Sequence, residues 1–246
     1  MQDHIATGAN MKKKNLLVVL LGTFSLPLLG VAQGATVNIF ENAGTVEYVD
    51  SLTGHTTTGY DMTGMEVTVN YSTGGSELVS WDAGGVGTGA IGTDWSLTMN
   101  DPALSTFYHS HWVFDTSGNA LIESIVLNGF AHNIIFDNDI DNLGTPGSAW
   151  GIPLQTDYYA TATSYTGNIN VTYFGDVAIL GTTAFGDIFQ GMSIQFADDA
   201  FGAGDTFTFY QDTDNIVDPV PEPGTILLFG VGVLGLVGSR VWRKKS

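Results

Sequence analysis

The sequence predicts an all-β domain over residues 36–217, a two-sheet antiparallel sandwich or jelly roll, with an N-terminal signal peptide and a single C-terminal transmembrane helix on either side. Three observations predict the sandwich. Apolar and polar residues alternate with period two in several short segments, clusters of Gly, Asn, Asp and Thr separate those segments, and no long helical period occurs between residues 35 and 218. A domain of about 185 residues is long enough to bury a hydrophobic core.

The alternation marks individual strands. The four most regular are residues 65–71, 169–173, 192–196 and 206–210. Less regular candidates are residues 36–40, 44–50, 77–82, 94–99, 107–114, 121–127, 132–136 and 177–180. The Gly-rich segment 84–92 and the acidic segment 211–215 predict loops, because Gly and Asp favour turns.

The charge distribution excludes several classes of function. The chain has 246 residues, no Cys and only seven Lys or Arg, all of which lie at residues 12–14 and 240–245. Of the 25 acidic residues, all but Asp3 and Glu222 lie between residues 33 and 220, which gives that block a formal charge of −23 with His neutral. Such a block cannot neutralise phosphates, so nucleic acid is excluded as a partner, and so are Arg-based anion clamps. The lack of Cys excludes disulfides, thiolate zinc sites and a Cys nucleophile.

The N-terminal segment 11–35 predicts a signal peptide. Three lysines at 12–14 precede the apolar run 16–21, and small residues such as Ala32 and Ala35 follow. Pro27 and the short apolar run disfavour a membrane span. Residues 1–10 precede Met11, and we interpret them as a start codon assigned too early. The domain is therefore expected to leave the cytoplasm through the Sec export machinery.

The C-terminal segment predicts a short membrane anchor. Residues 218–224 form a linker with Pro221, Glu222 and Pro223, and residues 225–239 are 15 uncharged residues. As a helix these span about 22 Å. The tail 240–246 follows and carries the cations of the predicted membrane stop, Arg240, Arg243, Lys244 and Lys245. These cations place the tail in the cytoplasm and the β domain across the membrane from it.

Together, the Pro-Glu-Pro motif, the Gly-rich span and the basic cluster resemble the PEP-CTERM sorting signal of exported bacterial proteins. The resemblance covers about 27 residues. It implies an exosortase as processing partner, a transient inner-membrane intermediate, and a final location at the cell surface or outside the cell. The alternative is an ordinary tail anchor that stays in the membrane.

One acidic loop is a candidate calcium site. Asp137, Asp139 and Asp141 place carboxylates at every second position, and Ca²⁺ prefers several oxygen ligands from one loop. The alternative is a set of solvated acidic turns. A second candidate is the pair His109 and His111, with His132 and Asp115, for a transition metal.

Taken together, these features favour a non-catalytic secreted or cell-surface protein, a component or binder of extracellular polysaccharide in a biofilm matrix. Aromatic side chains exposed on a sandwich face stack on sugar rings, and the candidates are Trp81, Trp95, Trp150, Tyr158 and Tyr159. The alternative is a secreted hydrolase that acts on polysaccharide through Asp or Glu.

Overall fold

The computed structural model describes residues 36–42, 44–54, 56–84, 88–107, 110–138, 151–156, 164–181, 186–197 and 201–217. These residues contain strands and two short 3-10 helices, Gly59–Met62 and Phe130–His132, and no α-helix. The predicted all-β class is therefore confirmed for the described part of the chain. The signal peptide 11–35 and the membrane helix 225–239 lie outside it. Within it, no helix is long and apolar enough to cross a membrane.

The described residues form thirteen strands. They are β1 (Val37–Asn42), β2 (Glu47–Val49), β3 (Glu66–Tyr71), β4 (Ser76–Ser80), β5 (Gly89–Ile91), β6 (Trp95–Met99), β7 (Trp112–Thr116), β8 (Ile122–Asn128), β9 (Ile134–Asp137), β10 (Ile169–Ile179), β11 (Ile188–Phe196), β12 (Thr206–Phe209) and β13 (Asp212–Asn215).

The strands form two sheets. The smaller has four strands in the order β12-β7-β6-β5, all antiparallel. The larger has nine strands and is built around the long antiparallel pair β10 and β11. At one end of this pair the neighbours are β1 and β8, with β3 and β4 beyond β8. At the other end they are β2 and β9, with β13 beyond β9.

The larger sheet is mixed, so the expectation of a fully antiparallel sandwich is wrong in part. Both β1 and β2 pair in parallel with β10. Period-two alternation reports which face of a strand is buried and carries no information on the direction of its neighbour, which explains the error. The side chains of Asn38 and Asn170 form a 3.0 Å hydrogen bond at the start of the β1–β10 pair.

One hydrophobic core joins the two sheets. On β6 the buried residues Trp95, Leu97 and Met99 alternate with half-exposed ones, as the sequence pattern predicts. Phe114 of the smaller sheet stacks on Phe196 of the larger one, with ring centroids 6.2 Å apart. A smaller cluster, which includes Val49, Ile135, Val177, Ile179 and Ile188, packs around the β2–β10 and β9–β11 pairs.

Two segments expected to be loops contain strands. In the Gly-rich segment, β5 pairs with β6, and a Cβ atom at Gly89 would overlap the carbonyl oxygen of Leu97. Glycine is thus required there for close approach of two strands rather than for a loop. In the acidic segment, β13 pairs with β9 although two of its four residues are Asp.

Candidate functional site

Buried acidic side chains collect where β9 and β13 pair. Asp137 lies directly opposite Asp212, and Asp214 follows two positions along the same strand. Their side chains are only 0%, 1% and 1% exposed, respectively. Like charges directly opposite each other on a sheet destabilise it, and a buried carboxylate is costly unless it is paired or protonated.

Thr106 holds one carboxylate of this cluster. Its hydroxyl donates a 3.1 Å hydrogen bond to Oδ1 of Asp212, while Oδ2 of Asp212 is buried without a hydrogen-bond partner. Burial, reinforced by the charges of Asp214 and Asp137, raises the pKa of Asp212 to about 9. Asp212 therefore carries a proton in the folded chain at neutral pH.

Gln211 ties the strand ends around the same cluster. Its side-chain amide donates hydrogen bonds to the backbone carbonyls of Asp137, Ile152 and Asp212. Its side-chain oxygen accepts a hydrogen bond from the hydroxyl of Tyr173, which in turn accepts one of 2.8 Å from the amide of Leu154. Burial raises the pKa of Tyr173, which keeps this hydroxyl neutral and fixed as a donor.

A second acidic group lies on the other side of β9. Glu41 of β1 accepts a 3.3 Å hydrogen bond from the side chain of Asn138. Burial raises the pKa of Glu41, and the negative charges of Asp176 and Asp187 raise it further. Burial also raises the pKa of Asp176, with a further contribution from Asp187.

In chemical terms, these two groups are carboxylates held close together without cationic partners. Among the described residues, no three acidic or His side chains are arranged as a ready-made metal site. The His pair is not assembled into one there. His111 packs edge-on against Tyr210 with ring centroids 5.7 Å apart, Asp115 accepts a hydrogen bond from Thr206, and His109 lies outside the described residues.

The two tryptophans expected on an exposed face are buried instead. Trp81 and Trp95 are 1% and 2% exposed, and both belong to the core. The indole of Trp81 packs edge-on against Trp112, at 5.2 Å between ring centroids, and donates a hydrogen bond to the carbonyl of Gly59. A sugar ring cannot stack on either side chain, so their assignment as ligand residues is wrong.

The other proposed site residues are only partly within reach of the structure. Asp137 is buried in the β9–β13 cluster, whereas Asp139 and Asp141 lie outside the described residues. The same holds for Trp150, Tyr158 and Tyr159, for the sorting motif at 221–223, and for the membrane stop at Arg240, Arg243, Lys244 and Lys245.

Sequence reasoning missed two sets of residues. Asp176 and Asp187 each follow a Gly and were not distinguished from other acidic turns, although a chain with no Lys or Arg in its domain must place some acids near one another. The exposed aromatic side chains are Phe40, Tyr48 and Tyr60. No pattern separates them from buried aromatics, because exposure depends on which strands become sheet edges.

Comparison with known proteins assigns the C-terminal segment. Residues 219–244 match the family described as the PEP-CTERM protein-sorting motif, which confirms the resemblance drawn from the sequence. Neither the curated proteins nor the solved structures gave a match to the chain. The motif implies export and exosortase-dependent sorting to the cell surface.

Proposed function

Because the chain carries a PEP-CTERM sorting motif, we propose that it is a non-catalytic cell-surface protein whose β domain is delivered outside the inner membrane and released from a temporary anchor. The observation that carries this proposal is the match at residues 219–244, directly after the last described residue of the β domain, Val217. In this proposal the signal peptide 11–35 directs export, the span 225–239 holds an inner-membrane intermediate, and an exosortase removes the span.

We further propose that the β domain contributes to the extracellular polysaccharide matrix. Phe40, Tyr48 and Tyr60 expose aromatic surface to solvent, with 44%, 53% and 50% of each residue accessible. Phe40 and Tyr48 lie on β1 and β2, which flank the same edge of β10. The formal charge of −23 between residues 33 and 220 disfavours anionic polysaccharides, so the proposed partner is a neutral one.

A second candidate is a carboxylate-dependent hydrolase. The observation in its favour is Asp212, whose pKa of about 9 beside Asp137 and Asp214 resembles the environment of a general acid. The observation against it is burial, because these side chains are at most 1% exposed and a substrate cannot reach them in this conformation. Asp212→Asn would abolish hydrolysis of any polysaccharide substrate if this candidate were correct.

The sorting proposal is tested by replacing Pro221, Glu222 and Pro223 with Ala in the native host. We expect wild-type protein at its final location to lack the span 225–239 and the basic tail. The variant keeps its signal peptide, so it should be exported but remain full-length in the inner-membrane fraction. Mass spectrometry of the C-terminal peptide in each fraction measures both outcomes.

A host without its exosortase is the matched control, and wild-type protein there should behave like the Ala variant. An intact C-terminal tail on wild-type protein at its final location would instead identify a permanent tail anchor. The polysaccharide proposal is tested separately by affinity electrophoresis of Tyr48→Ala and Tyr60→Ala in gels that contain neutral or anionic polysaccharide. Equal migration of wild type and variants in every gel would reject a role for these two side chains.

A further inference from the structure

Three acidic side chains meet at the position where β10 changes its parallel neighbour from β1 to β2. Glu41 lies near the end of β1, Asp176 lies on β10 between its pairings with the two strands, and Asp187 directly precedes β11. Asp176 and Asp187 are 6% and 8% exposed, whereas Glu41 is exposed. The group thus has two buried members and one member that can move at the surface.

Contacts around Asn138 show that these strands bring the group together. The side-chain nitrogen of Asn138 lies 3.3 Å from Oε1 of Glu41, and its backbone nitrogen donates a 2.8 Å hydrogen bond to the carbonyl of Asp187. A Cβ atom at Gly186 would lie 3.9 Å from Oε2 of Glu41. The carboxylate of Glu41 therefore faces the turn that carries Asp187.

Asp176 is the member that requires an explanation. Its Oδ1 atom is buried and has no hydrogen-bond partner. The preceding residue, Gly175, has a φ of 73°, a conformation that brings Asp176 into the group and that residues with side chains rarely adopt. The charge of Asp176 acts on Glu41, and that of Asp187 acts on Asp176. A buried carboxylate without hydrogen bonds is costly unless a cation accompanies it.

The domain itself offers no cation of the usual kind, because Lys and Arg are absent between residues 33 and 220. The neutralising charge must then come from outside this block. A free metal ion fits the chemistry of the group, which consists of hard oxygen donors without Cys or His. Such donors favour Ca²⁺ or Mg²⁺ over Zn²⁺.

We propose that Glu41, Asp176 and Asp187 bind one calcium ion that fastens β1 to β10 and β11. Ca²⁺ suits ligands drawn from separate strands, because it tolerates irregular coordination and completes its shell with carbonyls and water, whereas Mg²⁺ demands near-ideal octahedral geometry. The three side chains do not form a ready-made site as they stand. The exposed Glu41, held by a long 3.3 Å hydrogen bond, completes it by rotating inward.

The full-length chain, stripped with EDTA, tests this site by isothermal titration with CaCl₂ at constant ionic strength. We expect one saturable site with a dissociation constant of about 10⁻⁴–10⁻³ M, the range of extracellular calcium modules. Asp176→Asn and Glu41→Gln should each weaken it at least about tenfold, since even indirect metal partners cost that much when removed. The matched control is Glu123→Gln, an exposed acid on β8, which should bind like wild type.

Thermal unfolding in CaCl₂ and in NaCl of equal ionic strength separates binding from screening. A rise in Tm specific to calcium, lost in Glu41→Gln and kept in Glu123→Gln, supports the site. Equal rises in both salts, or equal calcium affinity in Glu41→Gln and Glu123→Gln, overturn it. If Asp176→Asn fails to fold by circular dichroism, the Glu41→Gln comparison decides alone, because that side chain is exposed. The site is independent of sorting, and cleavage at the C-terminal motif is expected to proceed in both variants.

Discussion

The carboxylate of Glu77 on β4 accepts a 2.8 Å hydrogen bond from the indole nitrogen of Trp95 on β6, which links the larger sheet to the smaller one. The same carboxylate accepts hydrogen bonds from the hydroxyl of Tyr71, at 2.8 Å, and from the backbone and hydroxyl of Thr93. Burial opposes ionisation of Glu77, but these hydrogen bonds outweigh it and lower its pKa. The contact between the sheets at this edge is therefore made by one ionised side chain and several neutral donors.

Glu77→Gln is expected to lower the free energy of unfolding by about 2 kcal/mol, because hydrogen bonds to a charged group contribute roughly 1.5–3 kcal/mol and an amide group cannot accept all of them. Urea unfolding followed by Trp fluorescence at pH 7 measures the loss. The control is Glu123→Gln, which should stay within about 0.5 kcal/mol of wild type as a surface change. Since the folded pKa of Glu77 lies below its ordinary value of 4.5, this contribution is complete above that pH and is lost in more acidic solution. A difference between the variants that persists unchanged below the folded pKa would contradict the role of the charge.

Asp212 is expected to make the domain less stable as the pH rises through the neutral range. Its pKa is raised from 3.8 to about 9 in the folded chain, so between these values the folded state holds a proton that the unfolded state has lost. Stability therefore falls with rising pH, by up to about 1.4 kcal/mol per pH unit for this one group. Asp212→Asn should flatten the dependence of Tm on pH between 5 and 8, a window inside that range. Parallel curves for wild type and variant would show that Asp212 is ionised in both states.

Trp81→Ala is expected to destabilise the domain by about 3–5 kcal/mol, the cost of removing a large core side chain and leaving a cavity. The change also leaves the carbonyl of Gly59 without its hydrogen bond from the indole. Chemical denaturation measures the loss, and Tyr60→Ala serves as the exposed aromatic control. A small loss of stability together with weakened polysaccharide binding would restore Trp81 as a ligand residue.

Residues 36–217 are expected to fold without the flanking segments, because the described hydrophobic core lies within this range. Far-UV circular dichroism of this fragment should show strands and little helix. A helical fraction above about one third, the average of globular proteins, would be incompatible with the two sheets.

Strand positions could be predicted well where one face is buried. The alternation at 65–71 gave β3, and that at 206–210 gave β12, each within one residue of the structure. The segments 169–173 and 177–180 were predicted as two strands, but they are a single strand, β10, whose φ of 73° at Gly175 interrupts the alternation. That interruption cannot be distinguished from a turn in the sequence.

The candidate site was less predictable, because it depends on register. The pairing of Asp212 with Asp137 joins residues 75 apart in the chain, and no local pattern fixes which residues of two strands become opposite. Likewise, burial of Trp81 and Trp95 follows from the stacking of two sheets, which the alternation of each strand allows on either face. Charge arithmetic, by contrast, needs no register. The absence of Lys and Arg correctly indicated that the acids of this domain have no such side chains beside them.

The position of the last strand sets a physical clearance for any processing enzyme. The chain is still part of the domain at Val217, whose backbone nitrogen donates a 3.0 Å hydrogen bond to the carbonyl of Ser51. From there to Pro221 the chain spans at most about 14 Å even when fully extended. That distance is about half the diameter of a small domain, roughly 30 Å. A protease acting near Pro221 must therefore work in contact with the folded sheets, so the shape of this end of the domain becomes part of what the enzyme recognises.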